Sequence, residues 1–270
     1  MIDIGANLTH ESFQHDFMEV VSSARNAGLS HILITGTDAA SSEAALQLAS
    51  IDPGFFSSTA GYHPHVASQF NEDSIDALKA LLARETVVAV GETGLDYNRN
   101  FSPPDTQRTV FRRHLELASE LGKPVFLHQR DAHQDFLPLL REFRQRLPGG
   151  VVHCFTDTLD AMQAYLDLDM HIGITGWICD ERRGTDLQAI AKHIPLERLL
   201  VESDAPYLLP RNLQPRPKNR RNEPKYLTAV VEKLAQCMEQ DPDEVRRAAT
   251  ENATRLFGLA ERSARDNRDT

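Results

Sequence analysis

Short apolar runs alternate with amphipathic stretches along the whole chain, and this pattern predicts eight strands, each followed by a helix. The apolar runs begin at residues 2, 31, 55, 87, 124, 151, 171 and 199. The helical stretches are predicted over residues 12–28, 42–50, 74–84, 106–121, 133–146, 160–168, 187–193, 224–239 and 242–257. Such an alternation over about 250 residues is typical of a closed parallel barrel, the (β/α)8 TIM barrel.

An open doubly wound sheet is the main competing fold, but no Gly-x-Gly-x-x-Gly follows the first strand. No internal repeat and no shift in composition marks a linker within the chain. We therefore expect one barrel domain over residues 1–260, followed by a polar tail over residues 261–270.

The apolar run at residues 87–90 passes directly into Gly-Glu-Thr-Gly-Leu-Asp, so that a strand ends on two carboxylates. Side chains alternate along a strand, and we expect Val88, Val90 and Glu92 to share one face. If that face lines the barrel, Glu92 lies at the rim of a hydrophobic interior. A carboxylate in this position is costly unless a cation compensates its charge.

Four of the predicted strands end on nitrogen or oxygen donors, which are Glu92, His128, His153 and Asp204. The carboxyl ends of barrel strands form the mouth of the active site, so these side chains are expected to meet there. A single histidine at a strand end is more often a hydrogen-bonded structural residue than a ligand. Two histidines and two carboxylates at the same end of four strands favour a metal site suited to Mg²⁺, Mn²⁺ or Zn²⁺. We expect His65 to be solvated and Cys154 to point into the helix layer as a buried thiol.

The chain carries a net charge of −10, which argues against a broad attraction to nucleic acid. No signal peptide or membrane span is expected, and the odd number of cysteines (three) fits reduced thiols. We therefore expect a cytoplasmic protein with no membrane contact. Nothing indicates a protein partner, so a monomer is expected.

One loop departs from this acidic character, because residues 209–225 hold six basic side chains against the single acid Glu223. One interpretation is a solvated surface loop, and the other is a phosphate clamp beside the metal. In the second interpretation Arg211, Arg220 and Arg221 bind substrate phosphate, and Arg182 and Arg183 form a second arm. Four aromatic residues are also expected near the mouth, where they either stack on bases or pack the loops: Tyr97, Phe101, Trp177 and Tyr207.

Seven short stretches together resemble the motifs of the TatD-family metal-dependent deoxyribonucleases, in order from residue 3 to residue 224. They are DIGAN at 3–7, GYHPH at 61–65, GETGLD at 91–96, PVFLH at 124–128, HCFT at 153–156, ESDAPYL at 202–208 and RNEP at 221–224. The resemblance implies a TIM barrel of the amidohydrolase type and phosphodiester hydrolysis dependent on Mg²⁺ or Mn²⁺. It also implies 3′–5′ exonuclease action on single-stranded DNA and RNA.

The first strand departs from the family pattern, since many members carry His-x-His where this chain has Gly5 and Asn7. Those histidines would hold a second metal ion, so this departure argues for a single ion bound by Glu92. We expect Asn7 and Glu202 to lie behind the ligands, although Glu202 is equally compatible with a paired core carboxylate.

The expected mechanism uses one divalent ion to polarise the scissile phosphate and a bound water. We expect Asp204 to accept the proton of the water, and His63 and the arginine loop to neutralise charge on the phosphate. Two alternatives remain open at this point. One is a metal-dependent amidohydrolase or esterase acting on a small molecule, and the other is a non-catalytic nucleic-acid-binding or scaffold barrel.

Overall fold

The computed structural model describes residues 1–259, so the predicted tail at residues 261–270 lies outside the described residues. Eight parallel strands form one sheet in which each strand pairs with the next along the chain. They are β1 (Ile2–Ala6), β2 (His31–Ile34), β3 (Phe56–Ala60), β4 (Val87–Asp96), β5 (Val125–Arg130), β6 (Gly150–Val152), β7 (His171–Ile174) and β8 (Leu199–Val201). The predicted order of strands is confirmed.

The barrel closes between β1 and the segment that follows β8. The main-chain N–H of Asp204 donates to the carbonyl of Gly5 at 2.8 Å, and the N–H of Asn7 donates to the carbonyl of Ala205 at 2.7 Å. The eighth strand was predicted to reach residue 206 but ends at Val201, because the chain turns here to bond with β1. This turn carries Asp204 to the mouth of the barrel.

Nine α-helices surround the described strands, and each overlaps a predicted helix. They are α1 (Phe17–Asn26), α2 (Ala39–Ile51), α3 (Glu72–Leu82), α4 (Pro104–Leu121), α5 (His133–Phe143), α6 (Leu159–Leu166), α7 (Thr185–Ile190), α8 (Leu227–Met238) and α9 (Pro242–Phe257). The first predicted helix is shorter than expected and is preceded by a separate 3-10 turn at Glu11–Phe13. Of the helices within residues 1–259, none combines the length and the apolar character that crossing a membrane requires.

Two apolar layers hold the barrel together. The larger layer lies between strands and helices, and the smaller one fills the interior with one or two side chains from most strands. The interior includes Phe126, Val151 and Leu200, as the alternation from His128, His153 and Asp204 predicts. At the end of the last helix, Phe257 packs into the same interior cluster. The polar residues at the strand ends therefore stand above a closed hydrophobic floor.

The prediction that Val88, Val90 and Glu92 share one face is wrong. Val88 packs in the interior cluster, whereas Val90 packs in the outer layer. Pairing shifts register on both sides of β4, and such bulges break the alternation of side chains. Gly91 lies within this irregular stretch at φ 143°, where a Cβ would come 2.2 Å from the carbonyl oxygen of Phe126. A residue with a side chain cannot fit there, and the backbone of β4 uses this freedom to aim Glu92 inward.

Candidate metal centre

Three imidazoles converge on one carboxylate oxygen at the carboxyl end of the barrel. Oε1 of Glu92 lies 2.7 Å from Nε2 of His153, 3.1 Å from Nδ1 of His128 and 3.3 Å from Nε2 of His63. The four residues come from β4, from β5, and from the positions just after β6 and β3. Glu92 and His153 are buried, and the other two rings are largely so. Strand ends that meet in a parallel barrel thus place four donors within one small volume.

These spacings suit donors around a divalent ion. Two donors about 2.1 Å from an ion and at right angles to each other lie about 3 Å apart. The ligand atoms of His63, Glu92 and His128 all lie within 4.8 Å of one another. Burial lowers the pKa of His63 to about 4, so its imidazole is neutral, and its Nδ1 accepts the main-chain N–H of His65 at 3.1 Å. The donor set of this structure therefore fits a divalent metal ion.

The ligands predicted from the sequence overlap only in part with these three residues. Glu92 and His128 belong to the group of three that lie within 4.8 Å, but His63 takes the third place. From the sequence His63 was assigned to the substrate phosphate. His153 lies beside Glu92 on the same cavity, and Asp204 also lines that cavity. All five side chains thus face one volume.

Carboxylates lie behind two of the imidazoles. Oδ2 of Asp96 is 3.2 Å from Nε2 of His128 and 2.8 Å from Nε2 of His65. Oε2 of Glu202 is 3.3 Å from Nδ1 of His153. A carboxylate on the outer nitrogen fixes the tautomer and the orientation of a ligand histidine. The expectation that His65 is solvated is wrong, because Asp96 binds its ring.

The charges within the cavity explain the pKa values of its acids and bases. Burial alone would raise the pKa of Glu92, but His153 and His63 outweigh it and hold that pKa well below its usual range. Burial likewise would lower the pKa of His153, but the carboxylates of Glu92 and Glu202 outweigh it and raise that pKa well above its usual range. Glu92 and His153 therefore stabilise each other in their charged forms.

Asp204 behaves differently from Glu92. Burial, together with the charges of Glu92 and Glu202, raises the pKa of Asp204 to about 8. The side-chain amide of Asn7 donates to Oδ1 of Asp204 at 3.1 Å, which fixes the carboxyl toward the cavity. At neutral pH this carboxyl group is therefore mostly protonated, and a cation in the cavity would favour its ionised form.

The cavity has a volume of about 370 Å³, within the range of small-molecule sites. Beside the ligands, its walls include Arg99, Cys154 and Tyr207. The expectation that Cys154 points into the helix layer is wrong, because β6 ends at Val152 and the alternation of the strand does not extend to a residue at φ 45°. Arg99 was not singled out from the sequence. The available signal was its position three residues after Asp96, whose carboxylate accepts the Arg99 main-chain N–H at 3.0 Å.

The predicted arginine clamp does not meet the metal ligands. Arg221 pairs with Asp16 at 2.6 Å and with Glu223 at 3.0 Å, and Arg211 pairs with Glu181 at 3.2 Å. Together with the exposed Arg220, these residues lie away from the walls of the cavity. Glu223 belongs to the same loop, but Asp16 and Glu181 come from other parts of the chain, and Asp16 is 205 residues away from Arg221. Within residues 1–259, the arginine on the cavity wall is Arg99.

Comparison with known proteins agrees with this architecture. Residues 2–258 match the family model of the TatD related DNases. The chain is 53% identical over 260 residues to a protein of Edwardsiella piscicida named "3'-5' ssDNA/RNA exonuclease TatD", with 96% of this chain and 100% of that protein covered. A protein of the same name from Yersinia pseudotuberculosis is 50% identical over 259 residues, with the same coverage.

A solved structure extends the agreement to three dimensions. The TatD homologue YJJV from Escherichia coli K12 superposes with a TM-score of 0.86 at 28% identity, covering 96% of this chain and 98% of that one. Both the sequence match and the fold extend over almost the full length of this chain, whose histidine and carboxylate side chains line one cavity at the mouth of the barrel. The chain therefore belongs to the TatD-related DNase family.

Proposed function

We propose that this protein is a metal-dependent 3′–5′ exonuclease that hydrolyses the phosphodiester bonds of single-stranded DNA and RNA. The observation that carries the proposal is the convergence of His63, His128 and His153 on the buried carboxylate of Glu92. The names of relatives at 53% and 50% identity support the substrate and the polarity of digestion.

We assign the ion to Glu92, His63 and His128, with His153 and Asp204 completing the site. A divalent ion held there would lower the pKa of a water molecule and stabilise negative charge on the phosphate. We propose Mg²⁺ as the ion, and the same nitrogen and oxygen donors also accept Mn²⁺ or Zn²⁺.

Asp204 is proposed as the group that takes the proton of the attacking water. Its carboxyl faces the cavity, and a divalent cation held there would keep it ionised and able to accept a proton. Asn7 holds the carboxyl in position from the side of β1. Residue 7 thus supports Asp204 in this chain, where many family members have a histidine.

Charge on the phosphoryl oxygens is proposed to be met by Arg99. This guanidinium lies on the cavity wall, whereas Arg211 and Arg221 are engaged by carboxylates. A charged donor aimed at the developing oxyanion stabilises the transition state more than the ground state. Arg99 therefore replaces the predicted arginine loop in our mechanism.

We further propose that the enzyme acts in the cytoplasm as a monomer. The three cysteines form no disulfide in the described structure, which suits a reducing compartment.

The test is digestion of a 5′-labelled single-stranded DNA oligonucleotide by metal-stripped protein, with and without added Mg²⁺. We expect a ladder that shortens from the 3′ end only when metal is present. The variant Glu92→Gln preserves the shape of the side chain but removes its charge, and it should abolish the ladder. A Glu223→Gln variant, which alters a buried carboxylate away from the cavity wall, serves as the matched control.

Absence of cleavage with Mg²⁺, Mn²⁺ and Zn²⁺ would refute the proposed function. Hydrolysis of small amides or esters by the same preparation would then favour the amidohydrolase alternative. Full activity of Glu92→Gln would refute the assignment of the metal site while leaving the nuclease activity intact.

A further inference from the structure

Among residues 1–259, Arg130 has no acidic partner, and it lies outside the residues that line the cavity. It lies on β5 two residues after the ligand His128, so the two side chains share a face and Arg130 is about 7 Å farther toward solvent. Within residues 1–259, its guanidinium makes no ion pair or side-chain hydrogen bond; it lies 5.1 Å from the ring centroid of Trp177. Within the described residues, the hydrogen-bond donors of this guanidinium therefore remain available.

Contacts with residues other than Arg130 hold the side chain of Trp177 in place. It lies in the 3-10 turn Gly176–Cys179 directly after β7, and its indole N–H donates to the carbonyl of Arg183 at 3.1 Å. The guanidinium of Arg183 also lies over the ring, 4.4 Å from its centroid, while its Nε donates to Asp180 at 2.9 Å. The indole is therefore a positioned surface rather than a mobile side chain.

This arrangement orients Arg130 without consuming its hydrogen-bond donors. A cation–π contact uses the face of the guanidinium or its charge, and the five N–H groups point outward in the plane of the group. Such a planar fork matches the two free oxygens of a phosphodiester. Arg183 and Arg211 differ in this respect, because Asp180 and Glu181 already engage them.

We propose that Arg130, held against Trp177, binds the phosphate one nucleotide upstream of the scissile linkage. The proposal rests on the proposed 3′–5′ exonuclease function, in which the 3′-terminal nucleotide occupies the cavity of about 370 Å³. The rest of the strand then leaves through the mouth of the barrel. Arg130 lies outside the cavity wall and one step farther along β5, where the next phosphate of the departing strand passes.

This contact has a consequence for substrate length. A phosphate contact fixes the register of the strand but reads no base sequence. A substrate that lacks the upstream phosphate loses the contact, so a terminal dinucleotide without a 5′-phosphate should be a poor substrate. Digestion of a strand that carries a 5′-hydroxyl is therefore expected to slow at the last two nucleotides.

The test removes the Arg130 side chain and the charge of a single phosphate, each alone and both together, and compares the effects. Two single-stranded oligonucleotides of one sequence are compared, of which one carries a neutral methylphosphonate at the second linkage from the 3′ end. Release of the 3′-terminal nucleotide is measured as kcat/KM with Mg²⁺ for the wild type and for Arg130→Met, Arg130→Lys and Arg99→Met. Arg141→Met, which removes an exposed arginine near the carboxyl end of α5, is the matched control for charge.

In the wild type and in Arg141→Met, the neutral linkage should slow release about tenfold to one-hundredfold, the range for a lost charge-assisted hydrogen bond. In Arg130→Met the two oligonucleotides should react at nearly equal rates, and Arg130→Lys should retain part of the difference. A difference that persists in Arg130→Met, or one that vanishes in Arg99→Met instead, would overturn the assignment. So would equal rates in the wild type. No release from the unmodified oligonucleotide would refute the exonuclease function itself.

Discussion

Glu202 offers the sharpest test of how the ligand histidines are oriented. Its carboxylate is fully buried; Oε1 accepts the main-chain N–H of Cys154 at 2.6 Å, and Oε2 lies 3.3 Å from Nδ1 of His153. The carboxylate therefore holds the Nδ1 proton and leaves Nε2 directed toward Glu92. In Glu202→Gln, the amide oxygen can still accept the bond from Cys154, but the amide nitrogen faces Nδ1.

Two donors cannot pair, so a neutral His153 in this variant must carry its single proton on Nε2. The lone pair that faces the metal site is then lost. The perturbation removes a charge-assisted hydrogen bond worth about 1.5–3 kcal/mol. This range corresponds to a loss of about tenfold to one-hundredfold in metal affinity, which is the usual effect of removing an outer carboxylate from a ligand histidine.

The assay is titration of metal-stripped protein with Mn²⁺ by calorimetry, for the wild type, Glu202→Gln and the control Glu223→Gln. Nitrogen-15 NMR of the histidine rings, recorded with diamagnetic Mg²⁺ in place of Mn²⁺, reports the tautomer of His153 in the wild type and in both variants. Circular dichroism confirms that each variant is folded. We expect weaker binding and a changed tautomer in Glu202→Gln only.

Unchanged Mn²⁺ affinity in a folded Glu202→Gln variant would refute the reasoning. So would weaker binding with the wild-type tautomer, because the loss would then come from the altered charge alone. Weakened binding in Glu223→Gln would show that any buried carboxylate has this effect.

Three further predictions concern stability. Burial lowers the pKa of His114 to about 4 from 6.5, so the unfolded chain binds the proton more tightly. The free energy of unfolding should fall by up to roughly 3 kcal/mol as pH drops from 6.5 to 4, and urea titrations of His114→Gln should lack this part of the slope. In Gly5→Ala, the new Cβ would lie 2.6 Å from Oε2 of Glu202, and overpacking should cost about 1–3 kcal/mol; an unchanged thermal midpoint would contradict the close approach. Metal at about one hundred times its Kd should stabilise the wild type by about 2.7 kcal/mol, and the midpoint of Glu92→Gln should not respond.

The sequence alone was sufficient to predict the barrel fold and the end of the barrel at which the candidate site lies. Apolar runs and helix signals are local, so their alternation predicted eight strands in the observed order. Parallel strands bring their carboxyl ends to one rim, which is why strand-end positions in the sequence were enough to assign Glu92, His128, His153 and Asp204 to one cavity. The interior position of Phe126 and Val151 also followed from alternation.

The tertiary structure decided which faces and partners these residues take. Val90 turned outward because register shifts in β4 broke the alternation, and Cys154 reached the cavity because its strand had already ended. Arg221 pairs with Asp16, which lies near the other end of the chain. The guanidinium of Arg130 instead contacts the indole of Trp177. Periodicity describes a residue relative to its neighbours in sequence. The partner of a charge depends on groups that only folding brings within reach, and within residues 1–259 this separates Arg130, which contacts an indole, from Arg211 and Arg221, which pair with carboxylates.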